Sequence, residues 1–215
     1  MIYAVLPIKL DSKELPNKNI MDFNGKPMFA WALESMLASG MIDKCVVSSS
    51  ECDKIKDIII ELKIKSDKII YLDRPEELNG DTELLDVIKH SSDKLFIDDN
   101  DLILQIQPNK PLINVCIVDR CIEHYLSYNL DTLFTVQEIK TAIDWEYKQS
   151  RRHGEKHFKS CSLVKIWNGK TIKKAKSGTW GFGSDHYNMV IPDWHIEIDS
   201  FDDYRMALAF KKAGF

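Results

Sequence analysis

A chain of 215 residues is long enough for one domain with its own core and short for two. With 44% apolar residues, 29% charged residues and a formal net charge of −4, it reads as a soluble globular protein with no general attraction to nucleic acid or to an anionic membrane. No apolar stretch of about 18 residues predicts a membrane span. The N-terminus lacks the charged region and cleavage site of a signal peptide, so a cytoplasmic protein is expected.

The chain opens with an apolar run, IYAVLP, that closes at Pro7 and reads as a buried strand. Lys9, Lys13 and Lys18 follow, in a segment that also holds Asp11, Ser12, Pro16 and Asn17. Those turn formers predict a loop exposing backbone amides beside ammonium groups, the outline of a polyphosphate site. The same spacing suits a solvated surface loop, because neither GxxxxGKS/T nor GxGxxG is present.

PMFAWALESMLAS, ECDKIKDIIIELK, DTELLDVIKHSSDKL and NVCIVDRCIEHYLSYN have helical spacing, and KCVVSSS, KIIYL and DLILQIQ are strand-like runs between them. Pro27 suits a first helical turn, and Glu51 and Asp81 suit N-terminal ends. Strand and helix in alternation predict an α/β fold of one domain: a mainly parallel twisted sheet, Rossmann-like, with helices on both faces and right-handed crossovers. Residues 1–136 form the nucleotide-binding type of core in this reading; residues 137–195 are polar and less regular, with SCSLVKIWNGKTIKK resembling a strand and turn. Residues 196–215 close the chain with the helical pattern SFDDYRMALAFKKAG. In such sheets ligands bind outside the carboxyl ends of the strands, at the switch point of the topology.

The five cysteines show no CxxC pair and no neighbouring histidine, so reduced, mostly buried thiols are expected. His153 and His157, in RRHGEKH, are spaced for a metal only if helical, and Gly154 between them favours a polar loop.

The stretch LPIKLDSKELPNKNIMDFNGKPM resembles the signature of the CMP-sugar synthetases, the cytidylyltransferases that activate acylneuraminates and 3-deoxy-manno-octulosonate. Pro7, Ser12, Lys13, Pro16, Lys18, Asn19 and the run from Gly25 to Met28 carry the match, and VVSSSECDKI, YLDRPEELNGDT, IQPNKPLI and HIEIDSFDDYRMALAF extend it in order along nearly the whole chain. The resemblance implies a nucleotide-diphospho-sugar-transferase-like fold and a magnesium-assisted transfer of CMP from CTP to an anionic sugar acceptor, with release of pyrophosphate. It implies that Lys9, Lys13 and Lys18 face the triphosphate, that Pro7, Ser12 and Asn19 support the nucleotide, and that Gln107 points at the reacting centre. Arg74 and Asp81 go to the nucleotide side, with a loop salt bridge as the alternative.

The family's two acidic ligands correspond to Glu197 and Asp199 in HIEID, which share one face if this segment is a strand; Asp199 at the start of a helix is the structural alternative. Asp202 and Asp203 are expected to serve that helix start. Arg151, Arg152 and Tyr147 stand in places loosely similar to the acceptor segment, and the family's habit implies a homodimer. The chain departs from the family at several points: Lys9 replaces an arginine and loses its planar fork, Asp11 puts an anion in the loop, and Asn109 and Ile113 replace polar or charged residues. Beside an active cytidylyltransferase, these departures leave open a relative that binds nucleotide without turnover, and transfer of another nucleotide to a sugar phosphate.

Overall fold

The computed structural model describes residues 1–12, 15–80, 82–138, 158–192 and 194–214. Lys13, Asp81, Tyr147, Arg151, Arg152, His153 and His157 lie outside the described residues.

The apolar runs form strands and the 3.6-period segments form helices, as their periodicity dictates. In chain order these are β1 (Ile2–Pro7), β2 (Asp22–Phe23), β3 (Lys26–Pro27), α1 (Met28–Ala38), β4 (Lys44–Ser49), α2 (Cys52–Glu61) and β5 (Ile69–Asp73). There follow α3 (Leu84–Lys94), β6 (Leu102–Ile106), α4 (Val115–Ser127), β7 (Thr132–Glu138), β8 (Phe158–Asn168), α5 (Gly169–Lys174), β9 (His186–Val190) and α6 (Phe201–Lys212). Pro27 sits one residue ahead of α1, and Glu83 stands at the cap of α3.

One seven-stranded sheet has the order β5-β4-β1-β6-β8-β7-β9. β8 runs antiparallel to both of its neighbours, β6 and β7, and the other pairings are parallel. The chain steps outward from β1 through β4 to β5 and then returns to the other side of β1 as β6. The carboxyl ends of β1 and β6 therefore flank the switch point, the place where a crevice opens in this class of sheet.

Both faces of the sheet are covered, because alternate residues of each strand point to opposite sides. Ala4 and Leu6 belong to a cluster with Phe29 and Leu33 of α1, Ile55 and Ile59 of α2, and Ile122 of α4. Val5, between them, belongs to the opposite cluster with Val46, Ile103, Leu85 and Ile88 of α3, and Ile172 of α5. A third, smaller cluster joins Leu15, Phe23, Met28, Leu112, Ile198 and Ala207, so the start of the chain is packed against its end.

The residues after 136 depart from the sequence reading in detail. NGKTIKK is a short helix, α5, whose start is capped by Asn168 accepting from the Thr171 amide at 2.8 Å. HIEID is not a strand: residues 195–199 have no ladder partner among the described residues, and the Ile198 amide donates instead to the Asn109 carbonyl at 3.0 Å. The expected helix start is present at α6, where Ser200 and Asp203 form a reciprocal capping box. The cysteines are all free, with Cys116 exposed and the other four buried.

Candidate active site

A cleft of about 340 Å³ opens beyond the ends of β1 and β6 and is lined by Pro7, Lys9, Ser12, Lys18, Asn19, Leu84, Gln107, Pro108, Asn109, Glu197 and Asp199. Several local devices deliver these side chains. Pro7 is the last residue of β1, and Lys9 and Ser12 lie on the loop that leaves it. Lys18 and Asn19 open a single 3-10 turn over Lys18–Ile20, preceded by Asn17 in the left-handed region at φ 57°, a conformation that asparagine tolerates. Gln107 follows the last residue of β6.

The opening loop is braced from within. Asn19, 3% exposed, donates its Nδ2 to the Lys9 carbonyl at 2.7 Å, and its Oδ1 has no partner among the described residues. That buried acceptor belongs to a residue lining the cleft and is suited to an O–H or N–H of a ligand. The Gln107 Oε1 is likewise buried without a partner among the described residues. Lys9 reaches the Gly80 carbonyl at 2.6 Å and lies 3.9 Å from Asp11, a pair exposed enough to contribute little.

The far end of the chain supplies the acids. Lys18 pairs with Asp199 Oδ1, and Lys110 pairs with Glu197 Oε2 at 3.0 Å. Asn109 links the two carboxylates, its Nδ2 lying 3.4 Å from Glu197 Oε1 and 3.2 Å from Asp199 Oδ1. Ile198, fully buried between them, anchors the segment in the third cluster. The alternation that a strand would impose is thus kept by one buried isoleucine and one asparagine. Among the described residues no group of three or more His, Cys, Asp or Glu side chains is placed to hold a metal. Two hard carboxylates beside a space for phosphate oxygens and water nevertheless fit magnesium, which takes one or two protein carboxylates and completes its octahedron from substrate and solvent.

A second hollow of about 200 Å³ adjoins the first across Leu84 and is lined by Glu83, Leu85, Gln105, Lys165, Trp167 and Trp180 among others. Gln105 is 1% exposed and its Nε2 has no partner among the described residues. The Lys165 ammonium lies 4.7 Å from the Trp180 ring centre and 5.1 Å from that of Phe134. Burial pushes the Lys165 pKa down to about 8, against the opposing pull of Glu197.

Of the residues singled out from sequence, Pro7, Lys9, Ser12, Lys18, Asn19, Gln107, Glu197 and Asp199 come together in one cleft. Arg74 does not line it. It is 8% exposed and donates to the Ser48 carbonyl at 2.9 Å at the end of β4, with burial lowering its pKa. The sequence reading missed Lys110, Gln105, Lys165 and Trp180. Lys165 in SLVKIW is a single charge inside an apolar run, the signal by which it could have been noticed; Lys110, in the polar stretch QPNKP, carries no such signal.

The profile of a family described as "Cytidylyltransferase" matches residues 3–201. The chain is similar to the pseudaminic acid cytidylyltransferase of Campylobacter jejuni, with 28% identity over 167 residues covering 74% of this chain and 70% of that protein. It is similar to the N-acylneuraminate cytidylyltransferase of Streptococcus agalactiae, with 25% identity over 219 residues; the match covers 94% of this chain and 51% of that protein, so the chain spans about half the length of the streptococcal relative. The fold resembles that of CMP:2-keto-3-deoxy-manno-octonic acid synthetase, solved as a complex with CTP, at TM-score 0.73 and 12% identity over 100% of this chain and 99% of that one.

Proposed function

Because this chain belongs to the cytidylyltransferase family and is a nucleotidyltransferase, we propose that it transfers CMP from CTP to the hydroxyl of an acidic sugar of the nonulosonic or octulosonic class. The observation that carries this reading is the convergence, in one cleft at the switch point, of the lysine-bearing loop after β1 with Glu197 and Asp199 from the other end of the chain.

In-line displacement at the α-phosphate asks for alignment and neutralisation of charge more than for covalent chemistry. The acceptor hydroxyl gives up its proton to solvent and attacks phosphorus as the bond to the bridging oxygen breaks, and pyrophosphate leaves. Lys9 and Lys18 line the wall along which the triphosphate would lie, with Lys13 assigned beside them from sequence. Asn19 and Gln107 line the same cleft, and their Oδ1 and Oε1, unpartnered among the described residues, are suited to the nucleoside and to the reacting groups respectively. Mg2+ would sit at the acidic end of the cleft, where Glu197 and Asp199 stand, and supplies charge stabilisation to the phosphates when bound.

The acceptor belongs in the adjoining hollow. Lys165, cationic below about pH 8, is suited to its carboxylate, Gln105 offers an unused N–H, and Trp180 presents an apolar face to a sugar ring. Arg151, Arg152 and Tyr147 remain candidates from sequence for the same acceptor, and a homodimer remains an expectation. The absence of a helix long and apolar enough to cross a membrane, among the described residues, is compatible with a cytoplasmic enzyme.

Pyrophosphate release, measured with each of the four ribonucleoside triphosphates and with a neuraminate, pseudaminic acid or octulosonate acceptor, tests the reading. Acceptor-dependent release with CTP that chelation of Mg2+ abolishes supports it. CTP binding without release across all acceptors favours a binding relative, and release only with another nucleotide and a sugar phosphate overturns it.

A further inference from the structure

Glu197 and Asp199 share a wall of the cleft but not the same surroundings. Both oxygens of Glu197 are engaged, Oε2 by Lys110 at 3.0 Å and Oε1 by Asn109 at 3.4 Å. On Asp199, Lys18 and Asn109 both approach Oδ1, and Oδ2 has no donor among the described residues.

The two lysines also differ. Lys110 is 1% exposed and its ammonium is tied a second time, to the Cys161 carbonyl of β8. It is a buried charge held at two points, and leaving Glu197 would strand it among apolar neighbours. Lys18 stands on the cleft wall, where its long side chain can exchange Asp199 for a phosphate. The positive charge of Lys165 also acts on Glu197 from the second hollow. A divalent ion brought onto Glu197 would therefore meet the buried ammonium of Lys110, which already lies 3.0 Å from Oε2 of that carboxylate.

We infer that Lys110 is a built-in cation that withdraws Glu197 from metal ligation, leaving Asp199, through Oδ2, as the protein carboxylate on which a divalent ion rests beside the triphosphate. The inference rests on the proposed use of this cleft for CTP and a divalent ion. A single carboxylate suffices, because such an ion keeps several waters and takes phosphate oxygens. Asn19, buried in the same cleft with an unpartnered Oδ1, independently points to a ligand there. In this arrangement Glu197 is a positioning residue: it holds Lys110 and, through Asn109, the orientation of Asp199.

The test is Mn2+ binding to the full chain in the presence of CTP, read from the loss of the free-ion electron paramagnetic resonance signal and corrected for Mn2+ bound by CTP alone. Asp199→Asn should weaken Mn2+ at least tenfold, and Glu197→Gln should change it by less than threefold. Lys110→Met, which frees Glu197, should add a second Mn2+ or tighten the first. Equal losses in Asp199→Asn and Glu197→Gln would overturn the inference, as would two Mn2+ ions in the wild-type complex. If Lys110→Met does not fold, the comparison of the two carboxylate variants decides alone. Wild-type protein that binds CTP with no response to Mn2+ would instead overturn the metal-assisted function itself, a result told apart because no variant is needed to see it.

Discussion

The ammonium of Lys18 closes on Oδ1 of Asp199, joining positions 181 residues apart in one ion pair at the mouth of the cleft. The Lys18 side chain is 16% exposed and that of Asp199 42%, so the pair contributes little to stability, about 0–1 kcal/mol. A phosphate contact from the same ammonium would be worth about 1.5–3 kcal/mol. Lys18→Met should accordingly weaken CTP roughly 10- to 150-fold by calorimetry and leave the urea midpoint nearly unchanged. A variant with a lowered midpoint and intact CTP affinity would make Lys18 a structural residue.

Asn109 donates toward both carboxylates, and its replacement by an acid reverses the local balance. Asn109→Asp puts a third carboxylate among them, which like-charge repulsion opposes by about 1–3 kcal/mol. The variant should melt lower than wild type in chelator, and Mg2+ should restore its melting temperature more than it raises that of wild type. Thermal scans with and without Mg2+ check this, and equal responses would count against a cation at this end of the cleft.

Lys165 carries a pH signature. Its pKa is held down to about 8 by burial, so the charge offered to an anionic acceptor is present below about pH 8 and lost above it. The acceptor kcat/KM should fall as pH rises through about 8, and CTP affinity should not share that limb. Stability moves the other way: between about 8 and the ordinary 10.5 the unfolded chain holds a proton that the folded chain has released, so stability rises with pH over that window. Lys165→Met should raise the acceptor KM, remove the alkaline limb and flatten the stability profile there.

Gly169 opens α5, where its amide donates to the Asp101 carbonyl at 2.9 Å. A Cβ at this position would lie 1.9 Å from the Asp98 carbonyl oxygen and 2.8 Å from its carbon, both backbone atoms with no rotamer to yield. Gly169→Ala should cost about 1–3 kcal/mol, the range of an overpacked site, seen as a lower urea midpoint. Because α5 leads into the segment carrying Trp180, acceptor KM should rise with it while CTP affinity holds.

The alternation of strand and helix was legible in the sequence because it depends on local periodicity. IYAVLP, KCVVSSS and DLILQIQ read as strands from short apolar runs whose two faces are both buried, and α1 to α4 follow from 3.6-residue spacing and from turn and cap residues near their ends. That ligands bind beyond the carboxyl ends of such strands followed from the same pattern; that β1 and β6 are the flanking pair came from the strand order. The lysine loop and HIEID stood out as chemistry in search of a partner, and the resemblance to the CMP-sugar synthetases indicated which chemistry.

The pairing of those parts was decided only in three dimensions. No local pattern says that Lys110 is sealed beneath Glu197, that Asn109 spans two carboxylates from another part of the chain, or that HIEID keeps its alternation without a ladder. Those features come from the burial of Ile198 with Leu15, Phe23 and Ala207 and from the insertion of antiparallel β8 beside β6, which brings the Cys161 carbonyl to Lys110 and Lys165 to the second hollow. Periodicity reports which face of an element is buried; which charged group waits on the facing element depends on contacts across the whole chain, and these exist only once the sheet has assembled.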